Sequence, residues 1–191
     1  MSEAGGERAG EPMLERDTEI GLLRAMVGGA VAGEGRLCLI EGRAGIGKSR
    51  LLGEVRRLAE ARGLRILSAR GSVLEREFGY GVARQLFERV IAQADARQRL
   101  LTGPAAGAMP MFESPAGVAH DGAGSFAVTH ALYWLVVNLA TEGPVLVAVD
   151  DLHWCDPASL RALAYLARRL EGLPVLMVAT VPAPRADVLS L

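Results

Sequence analysis

The sequence predicts an α/β fold in which a parallel sheet is sandwiched between helices, and three observations support this prediction. Apolar segments of strand length alternate along the chain with segments of helical periodicity. The strand segments show no alternation of polar and apolar residues, which is typical of parallel strands covered on both faces. A glycine-rich loop follows the first strand and an acidic pair follows a later one, at the sheet edge where open α/β folds bind ligands.

Length and composition agree with one domain of this class. The chain has 191 residues, 50% of them hydrophobic, and a net charge of −1 with dispersed basic residues. We therefore expect no direct nucleic-acid contact by this segment and no membrane binding. The N-terminus has no apolar secretion signal, and the longest apolar stretch, residues 126–139, is too short to span a bilayer. These features predict a cytoplasmic protein.

The first half of the chain divides into a tail and five predicted elements. Residues 1–12 are polar and acidic and are predicted to be a disordered tail in front of a core over residues 13–182. A helix is predicted where apolar residues recur on one face, and a strand where a short apolar run is bounded by turn residues. These patterns predict helices at residues 17–32, 47–62 and 80–94, and strands at residues 37–41 and 64–69. Gly63 is well placed to end the second helix.

The second half begins with residues 102–124, which are rich in Gly, Ala and Pro and have no periodicity. We expect a flexible surface insertion there. The rest of the core is predicted to contain a nearly all-apolar helix, a fully buried strand, a leucine-striped helix and a last strand, at residues 125–141, 144–149, 156–171 and 175–180. Asp156 followed by Pro157 is a favourable start for the third of these elements. Residues 183–191 form a predicted tail.

The most informative motif is GRAGIGKS, residues 42–49, which contains Lys48, the only lysine of the chain. It fits the phosphate-binding P-loop: glycines let successive N–H groups converge on phosphate, and the following helix directs its positive end toward the anion. Lys48 is expected to contact the β- and γ-phosphates, and Ser49 to bind Mg²⁺. The predicted nucleotide-binding set is Gly42, Arg43, Ala44, Gly45, Ile46, Gly47, Lys48, Ser49 and Arg50.

An acidic pair, Asp150 and Asp151, follows the buried strand at residues 144–149. In P-loop proteins such a pair forms the second half of the site. Asp150 is expected to orient Mg²⁺ directly or through water, and Asp151 to polarise the attacking water. Many ATPases have Glu at the second position, and because Asp is one methylene shorter we expect slow hydrolysis. The alternative is that both acids only cap a helix.

The identity of the base follows by exclusion. The NKxD motif that selects guanine needs a lysine, and the sequence contains none after Lys48. The LSGGQ signature of another ATPase class is also absent. We therefore expect ATP and ADP as ligands, with Mg²⁺ as the metal.

Several segments resemble one family. The chain is similar to the N-terminal ATPase domain of the large ATP-binding LuxR-type transcriptional regulators of actinobacteria, in the STAND branch of AAA-like P-loop NTPases. The segments that carry the resemblance are LERDTEIGLLRAMV (14–27), LIEGRAGIGKSRLL (39–52), ARGSVLEREFGYGVARQLFE (69–88), SFAVTHALYWLVVNLA (125–140) and VAVDDLHWCDPASLRALAYLARRLEGLPVLMVAT (147–180). The resemblance implies an ATP-dependent switch, with self-association controlled by the nucleotide and DNA read by a separate C-terminal part. It also implies that Arg16 packs near the adenine.

Two departures from the family pattern keep other functions open. Relatives commonly carry Thr-Arg at the end of the last strand, where this chain has Thr180-Val181. The chain also stops at Leu191, so we expect a C-terminal truncation without a fifth strand, a lid domain or a helix-turn-helix. The alternatives are a small self-contained P-loop phosphotransferase and a non-catalytic interaction fragment.

Overall fold

The computed structural model describes residues 16–113 and 122–183 and has the α/β architecture that the sequence predicts. Its strands are β1 (Arg36–Gly42), β2 (Arg65–Arg70), β3 (Val145–Asp150) and β4 (Val175–Pro182). Its helices are α1 (Asp17–Val31), α2 (Lys48–Glu60), α3 (Gly81–Ile91), α4 (Ala94–Leu100), α5 (Met109–Glu113), α6 (Gly122–Glu142) and α7 (Pro157–Ala167). Short 3-10 turns cover Val73–Glu75, Gly103–Ala108 and Leu152–Trp154.

The four strands form one parallel sheet in the order β1-β4-β3-β2. All carboxyl ends therefore meet at the same edge. The register places Gly42 of β1 beside Pro182 of β4, and Asp150 of β3 beside Arg70 of β2. The end of β4 thus lies between the strand that leads into the glycine-rich loop and the strand that ends in the acidic pair.

Helices cover both faces of the sheet. Successive strand residues point to opposite faces, and both sets are apolar here. On one face α1 and α2 pack on Leu146, Ala148, Leu176 and Val178. On the other face α3, α6 and α7 pack on the alternate residues of the same two strands, such as Val147 and Met177. Burial on both faces explains why the strand segments show no polar alternation.

Residues 102–113 differ from the irregular structure that the sequence predicts for 102–124. They form the Gly103–Ala108 turn and α5, with Ala105, Ala108 and Met111 fully buried, and they pack on α6. Small residues permit this close approach, since a Cβ on Gly107 would lie 3.2 Å from the Ala131 methyl group. Turns this short do not build a periodic apolar stripe, so the sequence pattern does not reveal them. Residues 114–121 lie outside the described part, as do the two predicted tails except residue 183.

None of the helices in the described ranges is both long and apolar enough to cross a membrane.

Candidate nucleotide-binding site

The glycine-rich loop turns sharply from the end of β1 into the start of α2. Gly45 and Gly47 have φ values of 76° and 91°, a backbone region that favours glycine, and Gly47 is the N-cap residue of α2. No side chain caps this helix start, so its first N–H groups have no side-chain partner. The loop and the positive end of the helix dipole together form an anion-binding cradle.

Lys48 lies folded over the loop. Its Nζ donates hydrogen bonds to the carbonyl oxygens of Gly42, at 2.8 Å, and Arg43, at 3.1 Å. These carbonyls hold the ammonium group within the same loop whose N–H groups would receive phosphate. The residue is half-buried, and its position fits the predicted role in phosphate binding.

A small hydrogen-bond network joins the loop to the acidic end of β3. The Ser49 hydroxyl donates to Asp150 Oδ1 at 3.1 Å, and the fully buried Thr180 hydroxyl donates to the same oxygen at 2.6 Å. Thr180 Oγ1 also accepts the backbone N–H of Asp151 at 2.8 Å. Thr180 at the end of β4 therefore fixes the positions of both acids. The sequence alone did not predict this role for Thr180, which was noted only because Val181 follows it where the similar family commonly has arginine.

The donor set fits Mg²⁺. The hydroxyl of Ser49 and the carboxylate of Asp150 lie side by side, and hard oxygen ligands are the kind that Mg²⁺ prefers. In the described ranges no group of three or more His, Cys, Asp or Glu side chains could hold a metal ion on its own. A metal at this place would need phosphate oxygens and water as further ligands, which is the usual arrangement for Mg²⁺ in nucleotide sites.

Asp151 is paired with an arginine that the sequence analysis did not identify as a site residue. Arg70, the last residue of β2, donates from Nε and Nη2 to Asp151 Oδ2 at 3.1 and 3.0 Å. Its Nε lies 4.0 Å from Asp150 Oδ2. Asp151 itself has a left-handed backbone, with φ of 52°. Arg70 is identified only once the strand order places the ends of β2 and β3 side by side.

The remaining predicted residues surround the loop. Arg16, just before α1, donates from Nη2 to the carbonyl oxygen of Ile46 at 2.6 Å. It therefore lies beside the loop and connects α1 to it. Arg43 and Ala44 are exposed in the loop, and Arg50 is exposed in the first turn of α2. The structure thus brings all the predicted site residues to one edge of the sheet.

A buried carboxylate supports the segment that follows the acidic pair. Asp156 is 1% exposed and accepts the N–H groups of Tyr80 and Ser159 at 2.8 Å each, and that of Val82 at 3.2 Å. The bond to Ser159 confirms the predicted cap at the start of α7, whereas the bonds to the start of α3 connect segments distant in sequence. Burial, with a contribution from the nearby Asp156 charge, raises the pKa of the Cys155 thiol to about 12.

The end of β2 also approaches this segment closely. A Cβ on Gly71 would lie 2.4 Å from the Asp151 carbonyl oxygen, so only glycine fits there. An open cavity of about 430 Å³ borders Asp150, and its walls also include Ser49 and Arg70. Space therefore remains next to the predicted metal ligands.

A comparison with family models and one with curated proteins each gave a match. A family model described as the AAA ATPase domain matches residues 12–178. The chain is 30% identical over 199 residues to an uncharacterized protein of Rhizobium meliloti (strain 1021), in a match that covers 91% of this chain and 19% of that protein. The chain thus spans about a fifth of the length of this curated relative.

One solved structure agrees with the α/β fold, and a second is matched at a lower score. The ORC2 protein of Aeropyrum pernix, solved as ADPNP–ADP complexes, matches with a TM-score of 0.55 and 19% identity, covering 93% of this chain and 44% of that one. Drosophila ORC bound to DNA matches with a TM-score of 0.46 and 13% identity, covering 98% and 49%.

Proposed function

This chain belongs to the AAA ATPase domain family, and from that premise we propose that it is an ATP-binding, slowly hydrolysing nucleotide switch. The observation that carries the proposal is the junction of the two site halves, where Ser49 of the loop bonds to Asp150 of the acidic pair. A nucleotide phosphate held by the loop would lie next to oxygen ligands for Mg²⁺. Family membership implies nucleotide binding, and adenine is the base that the sequence favours.

Each residue of the loop half has a role in binding. The loop amides and the N-terminus of α2 would donate hydrogen bonds to the phosphates, and Lys48 would exchange its two carbonyl partners for phosphate oxygens. Mg²⁺ would neutralise phosphate charge there. Ser49 and Asp150 would hold the ion, and Thr180 orients the Asp150 carboxylate.

Hydrolysis depends on Asp151 in this proposal. A general base needs a carboxylate oxygen free to take a proton, and Oδ2 of Asp151 accepts two hydrogen bonds from Arg70. The ion pair occupies this oxygen and fixes the orientation of the carboxylate. Arg70 is 71% exposed and therefore has room to move. We infer that turnover is slow until Arg70 releases Asp151.

The regulatory role rests on the resemblance to LuxR-type transcriptional regulators and the STAND branch. In that role, the core at residues 13–182 would change its self-association with the nucleotide state, and a separate part of the polypeptide would read DNA. The phosphotransferase alternative needs a mobile segment with arginines to clamp the transferred group. Residues 102–124 contain none, and their first half is packed on α6.

Single-turnover hydrolysis of Mg-ATP tests the proposal. We expect Asp151→Asn to bind ATP normally but to hydrolyse it about 10² to 10⁴ times more slowly. Arg70→Gln should hydrolyse ATP faster than wild type, by about tenfold, because it frees the Asp151 carboxylate. If Asp151→Asn keeps the wild-type rate, Asp151 has no part in chemistry, and the non-catalytic interaction fragment becomes the better interpretation. Small-molecule phosphate acceptors should leave the rate of ATP consumption unchanged. For a phosphotransferase they would change this rate.

A further inference from the structure

The surface formed by α6 and α7 carries a concentration of aromatic side chains. The chain has four Phe, two Trp and three Tyr residues, and four of these lie together with His130 on these two helices. Phe126, Trp134 and Tyr165 contact the His130 ring, and Tyr133 contacts Trp134 and Tyr165. Tyr165 of α7 packs against His130, Phe126 and Tyr133 of α6 with ring centroids 5.9–6.2 Å apart. None of the five rings is fully buried.

Hydrogen bonds hold three of these rings, those of His130, Trp134 and Tyr165, in fixed positions. The Trp134 indole N–H donates to His130 Nε2 at 3.0 Å, and His130 Nδ1 lies 3.1 Å from the Tyr165 hydroxyl. Because an indole N–H can only donate, Nε2 must accept, so the neutral imidazole has its proton on Nδ1 and donates it to Tyr165. A surface with side chains fixed in this way loses little conformational entropy when a partner binds.

The same surface exposes apolar area and positive charge. Phe126 is 61% exposed, although it stacks on His130. The Arg169 guanidinium lies 3.6 Å from the centroid of the Tyr165 ring, and Arg161 reaches the Ser125 hydroxyl at 3.5 Å. Within the described ranges neither arginine forms an ion pair with a carboxylate. We name this set the aromatic–arginine surface: Phe126, His130, Trp134, Arg161, Tyr165 and Arg169.

We propose that the aromatic–arginine surface binds an acidic amphipathic helix of a partner protein. Exposed aromatic side chains beside arginines are the composition of energetic hot spots in protein interfaces. The face where α6 and α7 pack side by side suits a third helix, whose apolar residues would cover Phe126 and whose carboxylates would pair with Arg161 and Arg169. A second copy of the same surface is disfavoured as the occupant, because it would bring four arginines and no carboxylate from the named set into the interface. None of the predicted nucleotide-site residues belongs to this surface, so the proposal does not depend on the proposed function.

Peptide binding to the nucleotide-free protein tests the proposal. The probe is a fluorescein-labelled helical peptide of about four turns with leucine on one face and glutamate on the others, followed by fluorescence anisotropy at about 0.15 M salt. We expect saturable binding by wild type and no binding of the peptide that has lysine in place of glutamate. Arg161→Glu combined with Arg169→Glu should weaken binding at least about tenfold.

Two further variants separate the surface from general charge attraction. Arg62→Glu combined with Arg89→Glu makes the same change in net charge at exposed arginines elsewhere, and it should bind the peptide like wild type. Phe126→Ser should weaken binding about fivefold or more without changing charge. Circular dichroism and melting temperature establish that every variant is folded. Equal weakening by the two charge-reversed variants, or no saturable binding by wild type at about 1 mM peptide, would overturn the proposal.

Discussion

The phosphate-binding loop and the acidic half of the site are constructed differently, although they meet at one hydrogen bond. Residues 42–49 are continuous in sequence, mostly exposed, and defined by backbone conformation. The acidic half, by contrast, combines side chains from the ends of three strands. They are Asp150 at the end of β3 with Asp151 directly after it, Thr180 of β4 and Arg70 of β2. The buried Asp156 carboxylate accepts N–H groups at the starts of α3 and α7 and so connects these two helices next to the acidic half.

Because of this difference, substitutions in the two halves should change different properties. Side chains in the loop half contribute little to the stability of the nucleotide-free fold, so substitutions there should mainly change nucleotide affinity. Side chains in the acidic half already bond to one another and to buried backbone, so changes there should affect stability, metal binding or turnover. A contiguous loop is also easier to recognise in a sequence than contacts between distant segments.

The largest effect is expected from Asp156→Ala. Removal of the carboxylate leaves three buried N–H groups without an acceptor, which should lower the free energy of unfolding by about 3–5 kcal/mol. Urea denaturation measures the loss. Asp156→Asn keeps an oxygen for some of these groups and should cost less. A loss below about 1 kcal/mol for Asp156→Ala would mean that the acidic half tolerates substitution as well as the loop does. The two halves would then not differ in their contribution to stability.

Asp150→Asn should act on metal binding. It removes the charge that Mg²⁺ needs while keeping the size of the side chain, so the Mg²⁺ requirement for tight ATP binding should rise about tenfold to a hundredfold. Titration of Mg²⁺ at fixed ATP measures the change. The exposed Asp95 of α4 provides a control, since Asp95→Asn makes the same chemical change away from the site. Identical Mg²⁺ dependence of ATP binding in the two variants would show that Asp150 does not bind the metal.

Thr180→Val removes one hydroxyl group from the hydrogen-bond network of the acidic half. Valine has the same shape but leaves the Asp151 N–H without its hydroxyl acceptor, so we expect a stability loss of about 1–2 kcal/mol. Ser49→Ala removes a hydroxyl from the same network on the loop side. Because Ser49 is exposed, that variant should lose less than about 0.5 kcal/mol. Thermal unfolding of both proteins without nucleotide distinguishes them, and equal losses would contradict the difference between the halves.

The smallest effect concerns thiol reactivity. Cys38 lies half-buried in β1, which leads to the loop, and Cys155 lies buried in the segment after the acidic pair. Burial raises the pKa of both thiols, that of Cys155 from 9.0 to about 12. At about pH 8 Cys38 should therefore react with a thiol reagent before Cys155, which should react only after unfolding. The raised pKa of Cys155 stabilises the fold below pH 9.0, and this contribution is lost as the pH rises toward 12. Faster modification of Cys155 would show that the acidic half opens first.

The sequence predicted the strand, the glycine turn and the helix of the loop half, because this pattern is local. Gly45 and Gly47 are needed for positive φ values, and Lys48 and Ser49 follow at fixed spacing. The pairing of Arg70 with Asp151 could not be predicted, because no sequence pattern states which strand lies next to β3. The helical turns at residues 103–113 were missed for another reason. Alanine and glycine carry too little apolar surface to form a visible stripe, even where they are fully buried.

Calorimetric titration of Mg-ATP into the nucleotide-free protein, with Lys48→Ala measured in parallel, tests whether the loop binds nucleotide. We expect saturable binding to wild type, with a stabilisation of about 2.7 kcal/mol when ATP exceeds its dissociation constant about a hundredfold. We expect Lys48→Ala to melt at the wild-type temperature without nucleotide and to show neither the heat nor the stabilisation. The proposed site would be wrong if wild-type protein gave no heat and no change in melting temperature in millimolar Mg-ATP, or if Lys48→Ala bound ATP as tightly as wild type.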